Sequence, residues 1–422
     1  MTQELRESIL GADIFRRVVE AAASQAPASL GPRRTSSTHE FYRYPARFPA
    51  DLARALIETL TSPGDVVLDP FVGGGTTLVE SRLTGRVGIG CDLNQLATFV
   101  TRAKCAVYSD DSLDAVTKWG ATRLKFINLR APVTPEDDWL SGGYLRNVDG
   151  PDLWRLRKLI AAARAQIDDL PSRPEWALAR CVLLRTAQWA LDMRAQLPSV
   201  PDFRRAFVAN LRGMVDVARE YARQVRRMDR NVPTAHSRRT VVIDGSAQEL
   251  RDNARVAAYG APRLVLTSPP YPGVYVNYHR WKLRSRLETP VPYWIANQLD
   301  GHGLAHYTMR ARARKDGDLS GYFCELLEAF SAIAALCDDD SVIAQVVGFS
   351  APEVQVPRYL ETMEQAGFQE TFFSGCATAD DGRLWRSVPG RRWWTRANGK
   401  ATAREVVLFH RLRRKHRQPR LQ

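Results

Sequence analysis

One stretch constrains the fold before any other: Asp65-Val66-Val67-Leu68-Asp69-Pro70-Phe71-Val72-Gly73-Gly74-Gly75-Thr76-Thr77-Leu78-Val79-Glu80. A β-favouring run ends at an acid and a proline, and three glycines follow before two threonines open a helix. Glycine lets the backbone take positive φ and come close to a ligand. A helix that starts there offers its free N–H groups to a carboxylate or a phosphate. A second strand, Arg86-Val87-Gly88-Ile89-Gly90-Cys91-Asp92, comes next and also ends in an acid. Strand, turn, helix, strand is a βαβ unit, and its parallel strands need helices on both faces of the sheet. Asp92 stands 19 positions after Gly73, close to the spacing at which an acid reaches ribose hydroxyls in dinucleotide folds. The glycines alone leave NAD, FAD and S-adenosylmethionine open. The turn is not G-x-G-x-x-G and no Walker lysine follows it, which counts against NAD and ATP.

A second strand-to-loop junction carries different chemistry. Leu264-Val265-Leu266-Thr267 runs into Ser268-Pro269-Pro270-Tyr271, where two prolines end the strand and stiffen the loop. Open α/β sheets place ligands at the carboxyl ends of their strands. This loop offers a hydroxyl, an uncommitted carbonyl and an aromatic face, a set suited to a flat ring bearing an amine. Upstream, the strand Thr240-Val241-Val242 leads to Ile243-Asp244-Gly245-Ser246-Ala247, a further βαβ turn. Its Asp244 and Ser246 read either as groups that meet an adenine amine or as helix caps.

Sixty Lys and Arg against 46 Asp and Glu give a net charge of +14, with pI near 9.8. That excess suits a polyanion, most simply nucleic acid. The six cysteines are scattered without a C-x-x-C pair, so neither a metal site nor a disulfide framework is expected and a reducing cytoplasm fits. Met1 to Ala28 mixes charges among its apolar residues, unlike a signal peptide, and no apolar run reaches a membrane span. A soluble, cytoplasmic protein that meets nucleic acid is the expectation.

Together these elements resemble the amino-methylating DNA methyltransferases, which modify the exocyclic N4 of cytosine or N6 of adenine. Asp69-Pro70-Phe71-Val72-Gly73-Gly74-Gly75-Thr76-Thr77 resembles the family's first cofactor motif. Thr267-Ser268-Pro269-Pro270-Tyr271 resembles its catalytic motif in the serine form typical of N4-cytosine enzymes. Tyr44-Pro45-Ala46-Arg47-Phe48-Pro49 resembles the segment that closes over the cofactor. The likeness covers about 36–110 and 239–412. The cofactor motif precedes the catalytic one here, the reverse of many serine-type enzymes, and no Pro-Cys nucleophile for carbon-5 chemistry occurs.

The resemblance implies a Rossmann-like class I α/β fold, a mostly parallel sheet with helices on both faces, and S-adenosylmethionine as methyl donor. It implies cofactor contacts from Pro45, Phe48, Asp69, Phe71, Gly73, Gly75, Thr76, Asp92, Asp244 and Ser246. Asp92 is expected on the ribose, Gly73 to Thr76 on the methionine portion, and Phe48 and Phe71 flanking the ligand. Arg47 stands open between DNA and the cofactor carboxylate. Ser268 and the Pro269 carbonyl are expected to hold the target amine, Pro270 to stiffen the loop, and Tyr271 to stack on the base. The base is expected to leave the duplex for reaction.

Residues 111–238 read as a helical insertion between two parts of the methyltransferase core, 36–110 and 239–412. Helices are expected from Trp154, over Glu175 to Arg194 and over Pro201 to Met228, with prolines at 171, 174, 198 and 201 separating them. The last carries Arg204, Arg205, Arg212, Arg219, Arg223, Arg226 and Arg227, a candidate DNA-facing stripe. The stretch 272–319 is the other candidate for target recognition, with Tyr275, Tyr278, Arg280, Trp281, Lys282 and Arg284 expected on double-stranded DNA. Residues 1–35 read as a helical arm and 413–422 as a basic tail; Phe368 to Phe373 and Glu405 to His410 read as a terminal antiparallel pair. The leading expectation is N4-cytosine methylation of DNA. N6-adenine methylation and a non-catalytic DNA-recognition protein are the alternatives, and any restriction endonuclease would be a separate partner.

Overall fold

Apolar runs buried on both faces build the centre of one sheet. The computed structural model describes residues 15–23, 37–44, 49–122, 127–131, 137–232, 236, 239–273, 280–300, 309, 318–388 and 404–413. Its strands are β1 (Val66–Asp69), β2 (Val87–Asp92), β3 (Thr240–Asp244), β4 (Leu264–Thr267), β5 (Trp281–Leu283), β6 (Leu287–Thr289), β7 (Val342–Gly348), β8 (Phe368–Glu370), β9 (Leu384–Ser387) and β10 (Arg404–Leu412). The main sheet runs β3-β2-β1-β4-β7-β10-β8, with β9 also on β10. Strands β3, β2, β1, β4 and β7 are parallel to one another. β10 is antiparallel to β7, β8 and β9, so the expected terminal antiparallel pair is present.

Alternation along each strand sorts side chains to the two faces. Val66, Leu68 and Val265 pack with the helices Ser320–Ala334 and Pro352–Gln365 on one face. Val67, Leu264 and Leu266 pack with the helix Ala50–Leu60 and with residues 15–23 on the other. The strand order reverses between β1 and β4, and the crevice outside their carboxyl ends is where such sheets bind ligands.

The insertion is helical, as its periodicity predicts. Its main elements are Asp110–Thr122, Trp154–Ile167, Arg173–Leu191 and Val200–Asn231. The longest starts at a capping box between Ser199 and Asp202 and buries Phe203, Phe207, Leu211 and Tyr221 along one stripe. Its arginines do not form one open face. Arg204 and Arg226 donate to the carbonyls of Ile127 and Tyr108, while Arg219 meets Asp110 and Asp114 and Arg223 meets Glu220. Three of the seven arginines of the expected DNA stripe, Arg204, Arg219 and Arg226, brace neighbouring segments, while Arg205, Arg212, Arg223 and Arg227 are exposed.

The described parts of the two candidate target-reading regions share one core. The β5–β6 hairpin and the helix Val291–Ala296 share an apolar core with the insertion, through Trp281, Leu283, Tyr293 and Trp294 packed with Leu156 and Leu191. Backbone contacts seal the junction, Met193 N–H to the Lys282 carbonyl at 2.8 Å and Lys282 N–H to Asp192 at 2.9 Å. Trp281 therefore corrects an expectation. It is 3% exposed, and its indole N–H donates to the Tyr42 hydroxyl at 3.0 Å, so it belongs to the core and not to a DNA surface. No helix among the described residues is long and apolar enough to cross a membrane.

Candidate active site

The carboxyl ends of β1, β2, β3 and β4 each carry a polar residue: Asp69, Asp92, Asp244 and Thr267. The glycine turn after β1 is held by Val72 N–H to the Cys91 carbonyl and by Gly75 N–H to the Val72 carbonyl. Gly73 and Gly75 have φ of 45° and 79°, the region that disfavours side chains. A Cβ at Gly75 would lie 2.7 Å from the Thr101 hydroxyl, so the position is closed to any other residue. Gly75 caps the helix Thr76–Leu83, and no side chain caps that end, leaving its first N–H groups to a ligand. Thr76 itself is buried. Underneath, the fully buried Lys104 donates to the Gly74 carbonyl at 2.7 Å.

Asp92 accepts from Gly73 N–H at 2.8 Å with one oxygen and from Asn94 N–H at 2.9 Å with the other. Each oxygen keeps a lone pair, so the carboxylate can still receive a vicinal diol. Burial pushes its pKa up to about 6, against the two N–H bonds, with Asp69 and Asp244 adding repulsion. Tyr44, from the segment before the first helix of the core, lies against Gly73, where a Cβ would sit 3.4 Å from its ring. Its hydroxyl accepts from Asn94 Nδ2 at 3.2 Å, and Asn94 Oδ1 accepts from Tyr293 at 3.0 Å. Phe71 is half-buried, its ring centroid 6.3 Å from that of Phe330. An uncapped helix start, a carboxylate with spare lone pairs and an aromatic wall fit an amino-acid-bearing nucleoside. Pro45 and Phe48 lie outside the described residues.

Asp244 is committed elsewhere. It pairs with Arg102 at 2.7 Å and accepts from Thr98, at a half-exposed position beside Asp92 in the β2–β3 register. Ser246 is the N-cap of the 3-10 helix Ala247–Asp252, accepting from Gln248 N–H within a capping box with Glu249. The cap of this helix is Ser246, and Asp244, for which capping is the alternative, is neither a cap nor free of a cation.

Asp69 joins the two halves of the site. It is 2% exposed, and its Oδ1 accepts from Phe71 N–H at 3.2 Å and from the Thr267 hydroxyl at 2.7 Å. Burial pushes its pKa up to about 6, and the hydrogen bonds only partly offset this. Thr77 also reaches across, donating to the Leu266 carbonyl at 3.2 Å. The end of β4 is thereby fixed relative to the glycine turn.

The loop that follows is a hydrogen-bonded relay. Ser268 donates to the Tyr271 hydroxyl at 3.0 Å, and Tyr271 donates to Glu405 at 3.0 Å. Glu405, on β10, is in a buried ion pair with Arg386 of β9. A carboxylate is only an acceptor, so it sets the direction of the whole chain. Tyr271 must give its proton to Glu405 and accept from Ser268. Ser268, its one proton used, turns its remaining lone pairs to the crevice. Tyr322 donates to the Pro270 carbonyl at 2.9 Å. No donor among the described residues is aimed at the Pro269 carbonyl. Ser268 Oγ, half-buried, and the carbonyl of the adjacent Pro269 are thus two acceptors on consecutive residues of the loop. Tyr271 differs from the open stacking face expected of it, for it is 5% exposed and its ring packs in the core.

Glu405, Arg386 and Tyr322 were missed in the sequence, since each acts from an element far along the chain. The expected DNA residues divide. Tyr275 and Tyr278 lie outside the described residues. Arg280 pairs with Asp300 at 3.2 Å, and Lys282 and Arg284 are exposed on the hairpin.

Residues 25–98 match the family model described as DNA methylase. The type II methyltransferase M.BsoBI of Geobacillus stearothermophilus is 33% identical over 93 residues, 21% of this chain and 18% of that protein. The type II methyltransferase M1.MboII of Moraxella bovis is 44% identical over 55 residues, 13% of this chain and 20% of that protein. The DNA adenine methyltransferase YhdJ of Escherichia coli K12 is 36% identical over 63 residues, 15% of this chain and 21% of that protein. The chain spans about a fifth of the length of these relatives.

Proposed function

We propose that this chain, whose residues 25–98 match the family model described as DNA methylase, is a DNA amino-methyltransferase that modifies N4 of cytosine. The methyl donor is S-adenosylmethionine, which when bound supplies a sulfonium methyl group open to attack by an amine. Asp92 would hold its ribose, the Thr76–Leu83 helix start its carboxylate, and Tyr44 and Phe71 would wall the pocket.

The observation that carries the reading is the pair of acceptors beside that pocket. An exocyclic amine on a conjugated ring is a weak nucleophile because its lone pair is delocalised into the ring. Ser268 Oγ and the Pro269 carbonyl can each accept one amine proton, which turns the nitrogen lone pair out of the ring plane. Positive charge then growing on nitrogen is met by the Ser268 oxygen, oriented by the Tyr271–Glu405 relay, and by the carbonyl dipole of Pro269. No covalent intermediate on the protein is required, and catalysis rests on position and preorganised electrostatics. Product nitrogen loses its extra proton to solvent. Serine at position 268 supports cytosine; the local likeness to YhdJ supports adenine as the second reading. Relatives named type II methyltransferases support work beside a separate restriction endonuclease.

The test is transfer of labelled methyl from S-adenosylmethionine to unmodified duplex DNA by wild type and by Ser268→Ala. Wild type labels the DNA, and the variant loses most of its kcat while binding the cofactor normally. Equal kcat in the two proteins rejects the assignment of this loop.

A further inference from the structure

Among the described residues nine large apolar side chains are exposed; Leu287 lies on the β5–β6 hairpin, the Met193 backbone bonds that hairpin, and Trp154 and Trp189 lie near the helix ends that meet it. The helices Trp154–Ile167 and Arg173–Leu191 are joined by a short turn and pack against each other, with Leu153 and Leu191 lining one cavity. Their shared end is where the β5–β6 hairpin docks. Met193 N–H bonds the Lys282 carbonyl on one side, and Arg284 pairs with Asp152 on the other. Trp154 and Trp189, 42% and 40% exposed, thus flank the hairpin. They are the two exposed tryptophans of the described residues.

Each tryptophan carries a stacked guanidinium. Arg155 lies 5.2 Å from the Trp154 ring centroid and Arg194 lies 4.4 Å from that of Trp189. The hairpin turn adds Arg284 and Arg286, both exposed, with Arg284 and Ser285 in left-handed conformation at φ 49° and 64°. Beside Trp189 and Arg194 an open cavity of about 860 Å³ extends to Arg205. Of the carboxylates here, Asp202 pairs with Arg205 and Asp192 holds the Lys282 N–H, while Asp152 forms a half-exposed pair with Arg284, a contact of the kind that contributes little and exchanges readily. Planar cations held on rings, with a fork geometry that fits phosphate, suit a nucleic-acid backbone.

We infer that this surface, built jointly by the insertion and the hairpin, grips the duplex DNA that carries the target base. Arg155, Arg194, Arg284 and Arg286 take backbone phosphates, and the tryptophan rings hold two of them in place. The inference rests on the DNA-methyltransferase reading and adds to it the face of the molecule that meets DNA away from the catalytic crevice.

The test is binding of a fluorescent 30-bp duplex by the full chain across a salt series. Each phosphate contact contributes about 0.9 to the slope of log affinity against log salt, so four contribute about 3.6. Replacing all four arginines with Gln should lower the slope by nearly that amount. Raising salt from 50 to 200 mM then weakens the variant about 150-fold less than wild type. Lysine at the same four positions should restore most of the slope, and Trp154→Ala with Trp189→Ala should weaken binding with the slope kept. S-adenosylmethionine binding, measured by equilibrium dialysis, stays at wild-type level in every variant. A quadruple Gln variant with wild-type slope overturns the inference, as does a wild-type dimer that the tryptophan changes dissociate while DNA binding is kept. Absence of both DNA binding and methyl transfer in wild type would instead overturn the functional reading beneath it.

Discussion

Asp69→Asn should stabilise the protein, and by an amount that depends on pH. The carboxylate is buried between the two halves of the site, and its pKa rises from the ordinary 3.8 to about 6. The folded chain therefore holds this proton more tightly than the unfolded one, and stability falls as pH rises between those values. Above the window the loss is about 3 kcal/mol, at 1.36 kcal/mol for each tenfold change in the proton equilibrium. Asparagine keeps the geometry, since both hydrogen bonds end on Oδ1 and the Thr77 hydroxyl lies beside the carboxylate to meet an amide N–H. Urea unfolding at pH 7.5 should give the variant about 3 kcal/mol over wild type, falling to about 1.5 kcal/mol at pH 5. Glu80, whose pKa is lowered by His39 and Arg54 against its burial, shifts in the opposite sense but is common to both proteins and cancels. A destabilised variant, or a gain that does not change with pH, would refute the claim that Asp69 is charged and desolvated at neutral pH.

Four further changes probe the same geometry. Thr267→Val removes the donor at 2.7 Å from Asp69 and should cost about 1.5–3 kcal/mol of stability at pH 7.5, read by urea unfolding, with a smaller loss in the Asp69→Asn background. Gly75→Ala places a side chain at φ 79° and 2.7 Å from the Thr101 hydroxyl, so S-adenosylmethionine binding should weaken at least tenfold by dialysis. Glu405→Gln turns the end of the relay into a possible donor to Tyr271, which frees Ser268 to point its proton at the crevice. The expected result is a kcat lowered about 10- to 100-fold with cofactor affinity unchanged; Tyr271→Phe, which cuts the relay but keeps the ring, should lower kcat in the same way.

What the sequence disclosed was mostly local. The Asp65–Glu80 run carries its own turn chemistry, so strand, left-handed glycines and helix start all follow from adjacent residues. The order Ser268-Pro269-Pro270-Tyr271 likewise announces a stiff loop at a strand end, and that is where it lies. Glu405 escaped notice because it reaches Tyr271 across 134 positions, from a strand placed there by the antiparallel return of β10. Trp281 was misassigned because an aromatic among cations reads equally as a stacking surface or as a short strand's inward residue, and the three-residue β5 gives too little alternation to decide. Arg204, Arg219 and Arg226 of the longest helix were misread for a related reason. Their partners, Asp110, Asp114 and the carbonyls of Tyr108 and Ile127, come from segments whose placement no periodicity reveals.

The central claim is settled by the modified nucleoside. Unmethylated DNA is incubated with the protein and labelled S-adenosylmethionine, digested to nucleosides and resolved by mass spectrometry. The account predicts label in N4-methylcytosine, lost with Ser268→Ala. Label confined to N6-methyladenine would contradict the choice of base, and unlabelled DNA from a protein that binds the cofactor would contradict the enzyme itself.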